Sequence, residues 1–281
     1  MKAKIWLLIV SLWLMMSIGC SQTEETKQAQ HLSEREIHIT YKTPFDFTKF
    51  HIDFTNYDQS PQEWGEKVTG VKQRFKTTDK KIALTFDACG GPYGSDYDEA
   101  LISFLIENQI PATLFVNERW IHENKELFLE LAQHPLFQIE NHGTEHKPLS
   151  VSGQSGWGIE GTTSPEEVYH EIMSNHDTVR ELTGIEMTLF RSGTAYYDEV
   201  AVQLAQELGY DVVNFDILGD AGATFTSAQV KQALLSAKPG SIVLLHMNQP
   251  QSGTAEGVKQ AIPILLEQGY EFVLLKDQEL E

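Results

Sequence analysis

Between residues 80 and 275, short apolar runs alternate with stretches in which apolar residues recur every three or four positions. The short runs read as buried strands and the longer spacing as one face of a helix. Strands are expected at 82–86, 112–116, 137–140, 187–190, 211–215, 242–245 and 271–275. Helices are expected from a capping Asp98 to 108, over 125–133, from a capping Ser164 to 182, and over 199–208, 227–237 and 256–267. Ser164-Pro165-Glu166-Glu167 carries a capping hydroxyl, a Pro at the first helical position and a Glu three after the cap. Such strand–helix alternation implies an α/β fold with a largely parallel sheet and helices outside it. A count of about seven strands, with polar side chains at their ends, favours a distorted (β/α) barrel over an open doubly wound sheet. Asp87-Ala88-Cys89-Gly90-Gly91, after the first strand, lacks the glycine spacing of a dinucleotide-binding turn.

The N-terminal stretch is patterned differently. Lys2 and Lys4 precede an apolar run over 5–18 that ends in Gly19-Cys20. Charge, then apolar run, then small residue predicts a secretory signal over 1–19. The run is short for a membrane span. Ser17-Ile18-Gly19-Cys20 resembles a bacterial lipobox, with Ser17 in place of the usual Leu. That resemblance implies cleavage before Cys20 and a lipid on its sulfur. Residues 20–36 are polar, without apolar period, and read as a tether. Residues 37–79 open with an alternating stretch at 37–41, an expected edge strand, and continue with Phe45, Phe47, Phe50, Phe54, Tyr57 and Trp64. So many rings predict an extension packed on the main domain, which spans 80–277.

Losing residues 1–19 of the 281 leaves 262, enough for one barrel-sized domain and its core. Formal net charge is −19, and loss of Lys2 and Lys4 makes it −21. An acidic chain disfavours nucleic acid and anionic headgroups as partners. The membrane would then be reached through the lipid alone, and a neutral glycan is a compatible partner. Cys89 is the one cysteine besides Cys20, so no internal disulfide is expected. The expectation is a monomer, lipid-anchored to the cell membrane on its extracytoplasmic side.

His142-Gly143-Thr144-Glu145-His146 sets two imidazoles four residues apart, and Gly143 and Pro148 argue against a regular helix there. Two His plus a carboxylate on an open face suit a catalytic divalent cation such as zinc. ALTFDACGG, NHGTEH, FRSGT and LLH follow in order, each at an expected strand end. With PATLFV, Gly209-Tyr210, Gly269-Tyr270 and a final FVLL, the set resembles the polysaccharide deacetylase family, the NodB-homology or carbohydrate esterase 4 group. The resemblance covers about 80–275 and implies a metal-dependent hydrolase that removes N-acetyl groups from an extracytoplasmic polysaccharide, peptidoglycan or chitin-like. By position, Asp87 matches the family's catalytic base, and His142 and His146 match its metal ligands. Arg191 matches the residue that positions the base, and His246 the general acid for the departing amine. Leu244 matches the residue lining the acetyl pocket. Asp216 and Asp220 both fit the acid that tunes His246. A backbone N–H near Gly193 would share the oxyanion. Trp157, in a Gly/Ser loop, either stacks on a sugar ring or covers the barrel rim.

The chain departs from the family pattern at Ala88, where the family has a second, metal-binding Asp. Three arrangements are open. Asp87 itself is a ligand; or two His and waters hold the metal while Asp87 stays the base; or Cys89 helps as a soft ligand. A turn cysteine is more often a small buried filler, so Asp87 near the metal, as ligand, base or both, is favoured over Cys89. Ser192 and Gly193 replace the prolines that follow the family's Arg, and Ala221 stands where the family has Trp. Two alternatives remain: a catalytically inactive glycan-binding lipoprotein, which Ala88 favours, and an O-acetyl esterase using the same groups.

Overall fold

Strand β1 (Trp64–Gly65) pairs antiparallel with β6 (Tyr197–Asp198), apart from the main sheet. That sheet is built on β2 (Lys81–Ala88), which is buried from Ile82 to Ala88 as a central parallel strand must be. The chain continues through α1 (Glu99–Glu107), β3 (Ala112–Val116), α2 (Glu118–Glu123), α3 (Lys125–Gln133), β4 (Phe137–Asn141) and α4 (Pro165–Thr183). Then come β5 (Leu189–Phe190), the already paired β6, α5 (Glu199–Glu207), β7 (Asp211–Val212), β8 (Ile217–Leu218) and α6 (Ser227–Leu235). β9 (Ile242–His246), α7 (Thr254–Glu267) and β10 (Glu271–Phe272) end it. This computed structural model describes residues 52–92 and 94–281, within a unit running from Thr48 to Glu281. The expected signal, Cys20, the tether and the strand at 37–41 lie outside the described residues.

The sheet order is β7-β5-β4-β3-β2-β9-β8, with every pair parallel, and β10 lies beside the start of β2. Curled and flanked by helices, these seven strands form the distorted (β/α) barrel that the alternation predicted. The two end strands, β7 and β8, leave backbone groups without a strand partner. Lys72 supplies some beside β7, where Lys72 N donates to Val212 O (2.8 Å) and Asn214 N to Lys72 O (2.7 Å); Phe75 N donates to Gly240 O (3.0 Å) just before β9. This part of the 37–79 stretch is therefore wall as well as cover, since open sheet edges need partners. The barrel interior holds Phe75, Ala83, Phe115, Leu189, Val213, Ile242, Leu244 and Leu275, which form the floor beneath the site.

Local sequence explains the element boundaries. Asp98 accepts from Leu101 N (3.0 Å) and Ser164 from Glu167 N (3.3 Å), so both expected caps form. Gly184 ends α4 in the left-handed region at φ 74°, where a Cβ is disfavoured. Several strands are shorter than their apolar runs. The run at 187–190 gives only β5, because the wall diverges and a single register pair, Asn141 with Phe190, joins it to β4. The run at 211–215 likewise keeps two residues in the ladder before its partner changes to residue 72.

Candidate active site

Every functional strand delivers its C-terminal end to one rim, as parallel barrels do. In register, Asp87 stands beside His246 on one side and Phe115 on the other. β4 brings Asn141 to the same level as Phe190, so His142 and Arg191 leave their strands together. Residues far apart in sequence thus converge because their strands are neighbours.

Arg191 is fully buried, and each of its three guanidinium nitrogens donates a hydrogen bond. It donates to Asp87 Oδ1 (2.8 Å), Thr85 Oγ1 (2.9 Å), Val213 O (3.1 Å) and Asn214 O (3.1 Å). Its Cζ also lies 4.2 Å from the centroid of the Phe115 ring. A buried guanidinium needs such a partner set. The result fixes one oxygen of Asp87 and leaves Oδ2 facing His142 Nε2 at 3.7 Å. His142 Nδ1 donates to Arg191 O (2.9 Å), which sets the neutral ring's tautomer and leaves Nε2 with its lone pair toward Cys89 and Asp87.

Cys89 Sγ lies 3.8 Å from that Nε2. Cys89, His142 and His146 each bring one ligand atom within 4.8 Å of the other two. Asp87 stays beside this cluster, as expected from the sequence: Oδ1 is drawn toward Arg191, while Oδ2 stands 3.7 Å from the same His142 Nε2 that the sulfur approaches. Burial pushes the Cys89 thiol up, but facing His146 and interacting with His142, His146 and His246 more than reverses this. The thiol is held well below its ordinary range. His146 Nε2 is buried without a hydrogen-bond partner of normal geometry. An orphaned imidazole nitrogen, a second one aimed the same way and a thiol fit a divalent cation of zinc-like softness.

The loop carrying these imidazoles is held by residues that the sequence pattern did not single out. Asn117, the N-cap of α2, donates to His142 O (2.9 Å) and Gly143 O (2.8 Å). Buried Glu171 of α4 accepts from Glu145 N (2.9 Å) and Lys147 N (3.1 Å). Gly143 is at φ 78°, and a Cβ there would stand 2.4 Å from Glu171 Oε1. His146 itself sits at φ 64°, a costly backbone state for a non-glycine residue held by such contacts. The only sequence signals for these roles were a cap-type Asn before a helix and an acid on the inward face of α4.

Asp220 and Asp216, which spacing could not separate, take different work. Asp220 accepts from His246 Nδ1 (2.8 Å), His246 N (2.7 Å) and Thr254 Oγ1 (2.9 Å). Asp216 instead pairs with Arg74 and accepts from Ser241 Oγ (2.9 Å) and Ile242 N (2.9 Å), so its role as the partner of His246 is withdrawn. Burial works against charge on His246, but Asp220 outweighs it and raises the imidazole well above its ordinary value. Asp220 shifts down correspondingly, against its own burial, through His246.

Asp87, Cys89, His146 and His246 open into a cavity of about 660 Å³, the size of a pocket for a small ligand or a short glycan stretch. Leu244 and Gly193 line it, with Phe215 and Leu218. Trp157 stands on its rim, 75% exposed, with its ring edge-on to Tyr196 at 5.8 Å. Gly193 lacks a side chain for a packing reason: a Cβ there would come within 2.4 Å of the His146 backbone and ring.

A carboxylate and an acid imidazole, each locked by its own buried counter-charge at the mouth of one pocket, equip the chain for hydrolysis. The comparisons narrow the class. Residues 74–213 match the family model for polysaccharide deacetylase. The chain belongs to the polysaccharide deacetylase (NodB-homology) family, among the carbohydrate esterases and deacetylases of family 4. A family 4 carbohydrate esterase from Bacillus anthracis is 26% identical, with a TM-score of 0.60 over 80% of this chain and 98% of that one. A CE4 family pseudoenzyme from Bacillus anthracis shares the fold at 20% identity, with a TM-score of 0.62 over 78% of this chain and 69% of that one. An uncharacterised 30.6 kDa protein from Geobacillus stearothermophilus is 24% identical over 230 residues, which is 78% of this chain and 79% of the relative.

Proposed function

We propose that the chain is a metal-dependent hydrolase removing N-acetyl groups from an extracytoplasmic, peptidoglycan-like or chitin-like glycan. The observation that carries this reading is the register setting Asp87 beside His246, one ion-paired to Arg191 and the other to Asp220. His142 and His146 are placed to hold the cation, zinc in this reading. Bound there, a divalent cation supplies a polarised acetyl carbonyl and a more acidic water. The rest is done by the chain's own groups. Asp87, oriented by Arg191, takes a proton from the attacking water through its free oxygen. His246, kept protonated by Asp220, gives a proton to the sugar nitrogen as the C–N bond breaks. Acetate and a free amine leave. Leu244 packs beside the acetyl methyl, and Trp157 offers a face to a sugar outside the pocket. The acidic surface suits a neutral glycan, and the signal-like residues 1–19 with Cys20 support a lipid-anchored protein acting outside the cytoplasm.

Ala88 and the fold shared with a pseudoenzyme favour one second reading, a glycan binder without catalysis. Zinc-loaded protein incubated with N-acetylchitooligosaccharides and with O-acetylated xylan separates the readings. Acetate from the first substrate is expected, abolished by chelator and by Asp87→Asn. Acetate from xylan alone would make the chain an esterase. Acetate from neither, with saturable oligosaccharide binding, would make it a binder.

A further inference from the structure

We infer that Cys89, as a thiolate, is the third protein ligand of the cation, so the site is built from one sulfur and two imidazoles and Asp87 is left outside it. This rests on the metal-dependent reading above and says what holds the metal. A tetrahedral ion with Zn–S near 2.3 Å and Zn–N near 2.05 Å separates sulfur from nitrogen by about 3.6 Å. Cys89 Sγ and His142 Nε2 are 3.8 Å apart. All three ligand atoms lie within 4.8 Å of one another, a triangle that closes on an ion with small side-chain shifts. The two imidazoles meet nearly edge to face, with planes at 88° and centroids 5.0 Å apart, which lets both nitrogens converge on one point.

The surroundings give Asp87 other work and leave Ala88 none. Asp87 Oδ1 is committed to Arg191, a contact whose loss would leave a buried charge unpaired, and Oδ2 is the one oxygen left to serve as base. Ala88 is fully buried and has no donor, whereas Cys89, just past the end of β2, lines the cavity. Period-two alternation puts residues 87 and 89 on the same side of the chain as β2 ends. The base and the sulfur ligand thus share one mouth while doing separate work. His146 Nε2 is buried without a hydrogen-bond partner of normal geometry, which suits a nitrogen that ligates. Metal binding by the thiol releases its proton, and the thiolate supplies one negative charge against the cation's two. A sulfur-and-imidazole set binds zinc, cobalt or cadmium and disfavours magnesium and calcium.

The test is cobalt substitution. The full chain, stripped of metal and titrated with Co²⁺, is expected to develop a sulfur-to-cobalt charge-transfer band in the near ultraviolet with one equivalent of metal bound. Asp87→Asn is expected to keep that band although it releases no acetate. Cys89→Ser is expected to lose the band and to weaken Zn²⁺ binding by at least tenfold, since even outer hydrogen-bond partners of a ligand cost about 10–100-fold. Zn²⁺ should also protect Cys89 from alkylation by iodoacetamide, read on the Cys89 peptide by mass spectrometry. Cobalt bound at one equivalent without the band, with Cys89 alkylated equally with and without zinc, overturns the sulfur ligand and leaves a two-imidazole site standing. No cobalt or zinc bound at all overturns the metal-dependent reading with it.

Discussion

Asp87 and Arg191 neutralise each other's charge in a buried setting. The carboxylate gains a fixed direction, and the guanidinium is the group that gives it. Asp220 does the same for His246, through two bonds to one residue and a third to Thr254. That pairing sets a pH dependence. The folded value of His246 is raised by Asp220, so the acid form persists above the ordinary histidine range and activity falls as pH rises through that raised value. Asp220→Asn removes the largest cause of the upward shift and leaves burial, which lowers the value, opposed only by Cys89. The alkaline limb of the kcat profile is therefore expected to move to lower pH, measured as acetate release across pH 5–10, with the acid limb unmoved. An unmoved alkaline limb would separate His246 from the proton transfer. At this scale the sequence spoke through residue type and order: Asp87, His142, His146, Arg191 and His246 all stand at one rim. It was silent where spacing is degenerate, as between Asp216 and Asp220, four residues apart. It was silent at Cys89 too, because a turn cysteine carries no local sign of what faces it across the barrel.

Strand ends and the loops that follow them determine whether these side chains meet. The caps at Asp98 and Ser164 and the stop at Gly184 were legible because a cap is a local hydrogen bond written in a few adjacent residues. Strand lengths were not, because a ladder ends where its neighbour turns away, as β5 does after pairing with β4. The six-residue α2 and two-residue β8 were missed for another reason: they are too short to show a period. The loop at 142–147 depends on Asn117, on Glu171 and on the bare backbone of Gly193. Gly193→Ala is expected to push the His146 backbone and ring aside while the chain stays folded. Zinc affinity by calorimetry should fall about tenfold or more, with the melting temperature moving by only a few degrees. Unchanged affinity would mean that the loop is not set by this contact.

Across the whole molecule, one acidic barrel presents one rim with a cleft of about 660 Å³ and a largely exposed Trp157 beside it. Amide hydrolysis takes place inside the cleft, and a polymer must run past it. Trp157→Ala is expected to raise KM for N-acetylchitopentaose several-fold while leaving kcat within about twofold, as loss of uniform binding does. A fall in kcat alone would place the ring in the chemistry rather than along the chain of sugars. The proposed hydrolysis requires a cation at the mouth of the barrel between the base and the acid. The most direct measurement is an anomalous difference map from crystals loaded with zinc. A single peak is expected about 2.3 Å from Cys89 Sγ and about 2.0–2.1 Å from a ring nitrogen of His142 and of His146. No peak there after loading, or one that touches neither imidazole, would contradict it.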